Sequence, residues 1–182
     1  MFKPLKIIDD RHKILRQISK EVEFPLDQKT KDIIEQIITH LTYSQIEEKA
    51  EKYDLRPGMG LSFVQLGILK RIIVIVDEYE EGKFENYVVI NPKIVSNSKE
   101  MIAADVGEGC LSVNRDVEGH VKRYARITVE GYDIDGNKIR VRAREELSIA
   151  FQHEIDHLNG ILFYDRINKD KPFYSENELR LI

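Results

Sequence analysis

The sequence predicts an α+β fold, in which mixed or antiparallel sheets pack around a central helix and a long helix lies near the N-terminus. Three observations support this: helical periodicity covers residues 27–53, strand-like segments fill the middle of the chain, and a second helical segment follows them. Because strands and helices do not alternate regularly, a doubly wound parallel sheet is disfavoured. The chain shows no repeat and no linker, so we predict one domain over residues 1–182.

The long helix is predicted from Asp27 to about Tyr53. Apolar side chains recur there at helical spacing, with charged residues between them, which is typical of an amphipathic helix. The sequence Arg56-Pro57-Gly58 then breaks the chain, because proline lacks a backbone N–H and biases its predecessor toward extended geometry. The recurring apolar residues are Ile33, Ile34, Ile37, Ile38 and Leu41.

The strands are predicted as two hairpins. Ile72 to Val76 is a continuous apolar run typical of a buried strand, and Phe84 to Ile90 follows it after a turn around Gly82. The second hairpin begins with the alternating segment Arg126 to Ile134. Its apolar phase changes after Gly131, which predicts a β-bulge at that glycine.

The turn Asp135-Gly136-Asn137-Lys138 predicts a return strand that carries Ile139 and Val141. A helix is then predicted from about Arg144 to Leu158. Its apolar residues fall on one face, and Asn159-Gly160 is a typical helix stop because both residues tolerate the left-handed conformation. That face consists of Leu147, Phe151, Ile155 and Leu158.

The composition excludes several classes of protein. Hydrophobic residues make up 42% and charged residues 33% of the 182 residues, an ordinary globular balance. The net charge of −4 argues against a general nucleic-acid binder. We expect neither a membrane span nor a secretory signal, because no long apolar segment is found. The single cysteine, Cys110, cannot form an internal disulfide, which favours an intracellular, cytoplasmic protein.

The second helix carries the pattern His-Glu-x-x-His, as His153, Glu154 and His157. Histidines four residues apart lie on the same side of a helix, so both imidazoles can reach one metal ion. Glu154 lies about 100° round the helix from His153 and can stand beside a water bound by that ion. A metal lowers the pKa of its water, and a carboxylate can take the proton and pass it to a leaving amine.

Two histidines leave a hydrolytic metal site one protein ligand short, because such sites usually hold three ligands and a water. No third histidine follows at the spacing of the extended metalloprotease motif. Cys110 is the natural candidate, since a thiolate suits Fe(II) or Zn(II) and the neighbouring glycines let the backbone approach a ligand. A lone cysteine is otherwise a small buried apolar residue, which is the alternative.

The segment Gly58-Met59-Gly60-Leu61-Ser62-Phe63-Val64-Gln65 offers a third group of polar atoms. It is no nucleotide loop, because the third glycine spacing fails and no βαβ unit surrounds it. The amide of Gln65 can donate to a developing oxyanion.

These three segments together resemble the peptide deformylases. Members of that family carry Gly-x-Gly-φ-Ala-Ala-x-Gln, Glu-Gly-Cys-Leu-Ser and Gln-His-Glu-x-Asp-His in this order. This chain has GMGLSFVQ, EGCLSV and QHEIDH in the same order, and the second and third motifs match fully. The resemblance extends from about Ile7 to Ile167 and is to the longer branch typical of low-GC Gram-positive bacteria.

The resemblance implies a metal-dependent hydrolase that removes the formyl group from the formyl-methionine of nascent polypeptides and releases formate. Cys110, His153 and His157 would bind Fe²⁺, which Zn²⁺, Ni²⁺ or Co²⁺ can replace, with water as the fourth ligand. Glu154 would be the general base and acid. The oxyanion would be stabilised by Gln65 and by the backbone N–H of Leu111, and Gly60 would present its backbone to the substrate.

The resemblance further implies an apolar pocket for the methionine side chain, and we expect Met59, Ile149 and Ala150 to line it. Glu108 would pair with Arg123 and stiffen the loop that carries Cys110. The partners would be N-formylmethionyl nascent peptides, met transiently near the ribosome, with no direct contact to nucleic acid or membrane. We expect a monomer.

The first motif departs from the family pattern, which has alanines where this chain has Ser62 and Phe63. A phenyl ring is much larger than a methyl group, so the local backbone or its packing partner must have adapted, and we expect activity to survive because Gly60 and Gln65 remain. Two other functions stay open. One is an endopeptidase that shares only His-Glu-x-x-His, and the other is a non-catalytic relative that keeps the metal for structure, although a closed structural site would need a fourth protein ligand.

Overall fold

The structure is a computed structural model that describes residues 2–182. Three short 3-10 helices, Lys13–Arg16, Phe63–Leu66 and Phe163–Arg166, accompany the longer elements. Within the described range the α-helices are α1 (Gln28–Ser44), α2 (Glu47–Tyr53) and α3 (Glu145–Leu158). The strands are β1 (Gly60–Ser62), β2 (Ile72–Glu80), β3 (Lys83–Asn97), β4 (Met101–Ala103), β5 (Arg123–Tyr124), β6 (Arg126–Tyr132), β7 (Lys138–Arg144) and β8 (Arg180–Leu181).

Two sheets organise these strands. The larger has the order β1-β2-β3-β6-β7, and all its neighbours are antiparallel. The smaller has the order β5-β4-β8, and its β4–β8 pair is parallel. The predicted α+β class with mixed and antiparallel sheets is therefore confirmed. No helix in residues 2–182 is both long and apolar enough to cross a membrane.

The predicted helix over residues 27–53 is wrong in one respect, because the chain interrupts it at Gln45 and Ile46. The start is correct, since the Asp27 side chain caps α1 by accepting from the N–H of Thr30 at 2.7 Å. At the break, the Gln45 amide donates to the carbonyls of Gly58 at 3.2 Å and Val76 at 3.0 Å. The interruption thus ties α1 to the segment that leads into the first motif.

The predicted bulge at Gly131 is also wrong, because the extra residue lies in the partner strand. Ile90 pairs with Tyr132 and Lys93 pairs with Glu130. Between these two pairs β3 advances by three residues and β6 by two, so the extra residue is in β3. A Cβ on Gly131 would lie 2.5 Å from the Val89 side chain and 2.8 Å from the carbonyl oxygen of Ile90. The glycine is therefore required by the close approach of β3.

Helix α3 is enclosed by the rest of the molecule. Residues 151–158 are all buried, including the histidine-bearing side that an isolated amphipathic helix would expose to water. Phe151, Ile155 and Leu158 pack with apolar residues of β2, β3 and β6. Gly160 ends the segment with φ +72°, and a Cβ there would meet the Arg16 carbonyl oxygen at 2.6 Å.

Candidate active site

Three potential metal ligands converge from two distant parts of the chain. His153 and His157 lie one turn apart on α3, and Cys110 lies on the loop between β4 and β5. One ligand atom from each residue can be chosen so that all three lie within 4.8 Å of one another. Cys110 Sγ is 3.3 Å from His157 Nε2. The structure therefore brings together the three residues that the sequence singled out.

A network of charged side chains contacts His153 and the helix that carries it. Glu108 accepts from His153 Nδ1 at 2.8 Å, and its two oxygens accept from Arg123 at 2.7 and 3.0 Å. Arg123 also donates to Asp156 at 2.6 Å, and Arg166 donates to both oxygens of Asp156. Arg123 is almost wholly buried, so this geometry is held in a low-dielectric setting where unpaired charge is costly.

The electrostatics of the cluster favour a cation among its donor atoms. Burial lowers the pKa of His157 well below its usual value, so its ring is neutral and can ligate a metal. Burial also lowers the pKa of His153, but hydrogen bonds to Cys110 and Glu108 outweigh it and raise that pKa well above the usual value. Cys110 and Glu108 therefore make an environment that favours positive charge at His153. One thiol and two imidazoles are also a donor set suited to Fe(II) or Zn(II).

Glu108 is ionised because its partners overcome its burial. Burial alone would raise the pKa of Glu108, whereas hydrogen bonds from His153 and Arg123 hold that pKa at about 2. The carboxylate therefore fixes which nitrogen of His153 carries a proton, and it leaves Nε2 to face Cys110.

Glu154 lies beside the cluster with an unused carboxylate oxygen. Its Oε2 is buried and, among residues 2–182, has no hydrogen-bond partner. Burial raises the pKa of Glu154 to about 7, against the lowering effect of His153. A Cβ on Gly60 would come within 2.7 Å of Glu154 Oε1, so Gly60 permits the carboxylate to lie against β1. A carboxyl group with these properties is equipped to exchange a proton near neutral pH.

The amide of Gln65 is held in one orientation by its neighbours. Its Oε1 accepts from the backbone N–H of Ser62 at 2.9 Å and from the Ser62 hydroxyl at 3.0 Å. Its Nε2 therefore points the other way, donates to Ser112 Oγ at 3.1 Å and lies 3.7 Å from Cys110 Sγ. The NH₂ group therefore points toward the metal cluster, which is the orientation that a hydrogen-bond donor to an oxyanion there would need.

The loop that follows Cys110 is fixed by Arg56. This guanidinium donates to the carbonyl oxygens of Leu111 and of Val113, the latter at 3.1 Å. Leu111 also packs closely over Gly58, where a Cβ would come within 2.7 Å of its side chain. Leu111 is consequently held from two sides.

A cleft of about 1220 Å³ opens over these groups. Met59, Ile149 and Ala150 line it, so the three predicted pocket residues share this space. Further lining residues are Gly60, Gln65, Glu108, Cys110, Leu111, His153 and Glu154. Such a concave site, with apolar walls and a few polar groups, is typical of small-ligand binding.

Ser62 and Phe63, the two residues that depart from the family pattern, do not line the cleft. Phe63 is fully buried and belongs to the apolar cluster beneath α1, together with Leu41 and Val74. Phe63 and Gln65 both lie in the 3-10 helix Phe63–Leu66, in which residues two apart point in different directions, so Phe63 packs in the core while Gln65 lines the cleft.

Several residues of the site were missed in the sequence. Ser112 accepts from Gln65, and Arg56 and Arg166 hold the site from outside the motifs. Ser112 was visible within the second motif. No local pattern marks Arg56 or Arg166, because a single sequence does not show whether an arginine is free in solvent or bonded to a buried group.

Comparisons with known proteins agree on one family. A family profile described as polypeptide deformylase matches residues 4–173. Peptide deformylase 2 of Geobacillus stearothermophilus is 47% identical over 167 residues, which are 92% of this chain and 91% of that protein. The protein of the same name from Bacillus subtilis is 46% identical, with the same shares covered.

Solved structures of similar shape carry the same name. A plant peptide deformylase superposes with a TM-score of 0.76 at 30% identity, over 92% of this chain and 82% of that chain. The peptide deformylase of Thermotoga maritima gives a TM-score of 0.71 at 32% identity, over 91% of this chain and 98% of that chain.

Proposed function

Because the chain belongs to the polypeptide deformylase family, its activity is removal of the N-formyl group from nascent polypeptides, and we propose that Cys110, His153 and His157 hold the metal ion for this hydrolysis. The convergence of these three donors beside Glu154, whose Oε2 has no hydrogen-bond partner among residues 2–182, is the observation that supports the assignment most directly. We further propose Fe²⁺ as the ion, with Zn²⁺, Ni²⁺ or Co²⁺ able to replace it, since all suit thiolate and imidazole ligands.

When held by Cys110, His153 and His157, the ion would supply Lewis-acid chemistry and would activate a water molecule at the site. Glu154 takes the proton of that water as it attacks the formyl carbon, and later gives it to the departing amine. Its raised pKa and its burial support both roles, because the same group must accept and release a proton.

The oxyanion formed by this attack is stabilised by two N–H groups. We assign these to Gln65 Nε2, which is aimed at the cluster, and to the backbone N–H of Leu111, whose carbonyl Arg56 holds. Donors fixed before the reaction need no reorganisation as charge develops. Gly60 presents its backbone to the substrate beside Glu154.

Met59, Ile149 and Ala150 form the pocket for the methionine side chain in this proposal. Glu108 and Arg123 position the ligand loop and His153 through their hydrogen bonds. The central helix α3 is thus the metal-binding helix, and its enclosure keeps both histidines in one geometry.

The remaining proposals concern the setting of the enzyme. We infer one catalytic domain that works as a monomer in the cytoplasm, on nascent chains near the ribosome, without binding nucleic acid or membrane. The net charge of −4 and the unpaired Cys110 support this setting.

The proposed function is tested by formate release from formyl-Met-Ala-Ser. We expect turnover with the metal-loaded protein, loss of turnover after chelation, and recovery on reloading with Fe²⁺ under anaerobic conditions. Cleavage of internally blocked peptides without formate release would instead indicate an endopeptidase. Metal binding with no turnover of either substrate would indicate a non-catalytic relative.

Replacement of Glu154 by glutamine tests the general base. The amide keeps the size of the side chain but cannot take a proton, so kcat should fall by about 10²–10⁴-fold. The metal content, measured by elemental analysis, should match that of the unmodified protein. Full activity in Glu154→Gln would refute the assigned role.

A further inference from the structure

The smaller sheet borders the cleft through a segment that the motifs do not include. β8 adds to β4 in parallel, with Ile102 opposite Arg180 and Ala103 opposite Leu181. The pairing continues through Ile182, whose N–H donates to the carbonyl of Ala103 at 3.0 Å and whose carbonyl accepts from Asp105 at 2.9 Å. The backbone of Ile182 is therefore hydrogen-bonded through both its N–H and its carbonyl, as in a strand.

Ile182 lies on the apolar side of the cleft. It packs on the cluster formed by Ile102, Ala125 and Ile149, together with Ala104. Ile182, Ile149 and Ala104 also line the cleft. Ile149 lies one turn before His153 on α3, so this apolar wall begins next to the metal cluster.

Charged contacts fix β8 against α3. Arg180 donates to both oxygens of Glu145, at 2.8 and 2.9 Å, and to Glu100 at 2.8 Å. Glu145 is the first residue of α3. Leu179, the residue before β8, is buried. The position of Ile182 is thus set relative to the helix that carries Ile149 and His153.

We propose that Ile182 is a specificity-determining residue, whose side chain forms with Ile149 and Ala104 the wall that contacts the first side chain of the formylated peptide. The proposal rests on the proposed function, because it extends the methionine pocket assigned above. This wall of aliphatic side chains suits an unbranched apolar group, and its distance from the opposite wall limits the size of that group.

Two substitutions of Ile182 test this in opposite directions. Ile182→Ala removes apolar contact and widens the pocket, so kcat/KM for formyl-Met-Ala-Ser should fall by about 10-fold, mainly through KM. The ratio of kcat/KM for formyl-Phe-Ala-Ser to that for formyl-Met-Ala-Ser should rise by a similar factor. Ile182→Phe narrows the pocket and should shift the ratio the other way, while formyl-Ala-Ala-Ser gains relative to formyl-Met-Ala-Ser.

Leu181→Ala is the matched control. It removes an aliphatic side chain from the same strand, but successive side chains point to opposite faces and Leu181 does not line the cleft. Its substrate ratios should equal those of the unmodified protein. Unchanged ratios in both Ile182 variants, or an equal shift in Leu181→Ala, would overturn the proposal.

These outcomes are separable from failure of the proposed function. The unmodified protein reports on that function through chelator-sensitive formate release from formyl-Met-Ala-Ser, whatever the variants do. Thermal unfolding of each variant shows whether it is folded under assay conditions. If Ile182→Ala is unfolded, Ile182→Phe and the milder Ile182→Val carry the test, with the narrowed and the slightly widened pocket shifting the ratios oppositely.

Discussion

The hydroxyl of Ser62 is a polar group that the family's alanine at this position lacks. This hydroxyl donates to Gln65 Oε1, and the backbone N–H of Ser62 donates to the same oxygen. An amide can rotate by half a turn and exchange its oxygen and nitrogen, so two donors on the oxygen side select the orientation that sends Nε2 toward Cys110. The sequence marked position 62 only as a departure from a pattern. Its partner could not be seen, because the contact depends on the turn of the 3-10 helix.

We predict that Ser62→Ala lowers kcat by about 5-fold and leaves KM nearly unchanged. The loss corresponds to one hydrogen bond of about 1 kcal/mol, with the backbone donor still in place. Steady-state kinetics with formyl-Met-Ala-Ser measures it. Ser19→Ala is the control, since Ser19 is also buried but its hydroxyl has no partner among the described residues. An unchanged kcat in Ser62→Ala would show that the backbone donor alone suffices.

The elements show where local patterns are informative and where they are not. The strands Ile72–Glu80 and Lys138–Arg144 and the helix Glu145–Leu158 were predictable, because periodicity and turn residues are local signals. The break at Gln45 was not, since it depends on carbonyls of Gly58 and Val76 that lie far along the chain. The position of the bulge was not predictable either. A shift in the apolar alternation of β6 indicates an irregular pairing, but it does not show that the extra residue belongs to β3.

The 3-10 helix Phe63–Leu66 carries one side chain that packs in the core, Phe63, and one that lines the cleft, Gln65. Replacement of Phe63 tests whether packing and activity can be changed separately. We predict that Phe63→Ala lowers the free energy of unfolding by about 3–5 kcal/mol, because it leaves a cavity in the core. The folded variant should keep kcat/KM within about 3-fold, since the ring does not line the cleft. Chemical denaturation and kinetics at low temperature measure the two effects. A large change in KM with unchanged stability would contradict the core assignment.

At the scale of the whole molecule, the candidate metal site lies where the Cys110 loop meets α3, and the Glu108–His153 and Arg123–Asp156 contacts also join these two parts. Cys110 belongs to a loop beside the smaller sheet, whereas the two histidines lie on a helix packed against the larger one. The site was predictable from sequence because three short motifs carry it. The β4–β8 pairing and the contact of Arg166 with Asp156 were not, because the first joins residues about 80 positions apart and neither has a local signature.

A bound ion should therefore stabilise the whole chain. We predict that chelation lowers Tm by about 10 °C, because a ligand at about 1,000 times its Kd adds about 4 kcal/mol to the folded state. Differential scanning fluorimetry with and without chelator measures this. Cys110→Ala should be insensitive to chelator, since it lacks one ligand. Equal chelator effects in both proteins would place the stabilising ion elsewhere.

Gly60 limits how this enzyme can evolve under selection by an inhibitor. Any side chain at that position would come within 2.7–3.0 Å of the Glu154 carboxylate, so a substitution that blocks a drug there would also displace the group that we propose as the proton carrier. A compound that gains its affinity from the backbone of residue 60 therefore meets a position with few viable escape mutations. One that depends on the side chain of Met59, which lines the cleft, is expected to face a wider range of resistant variants.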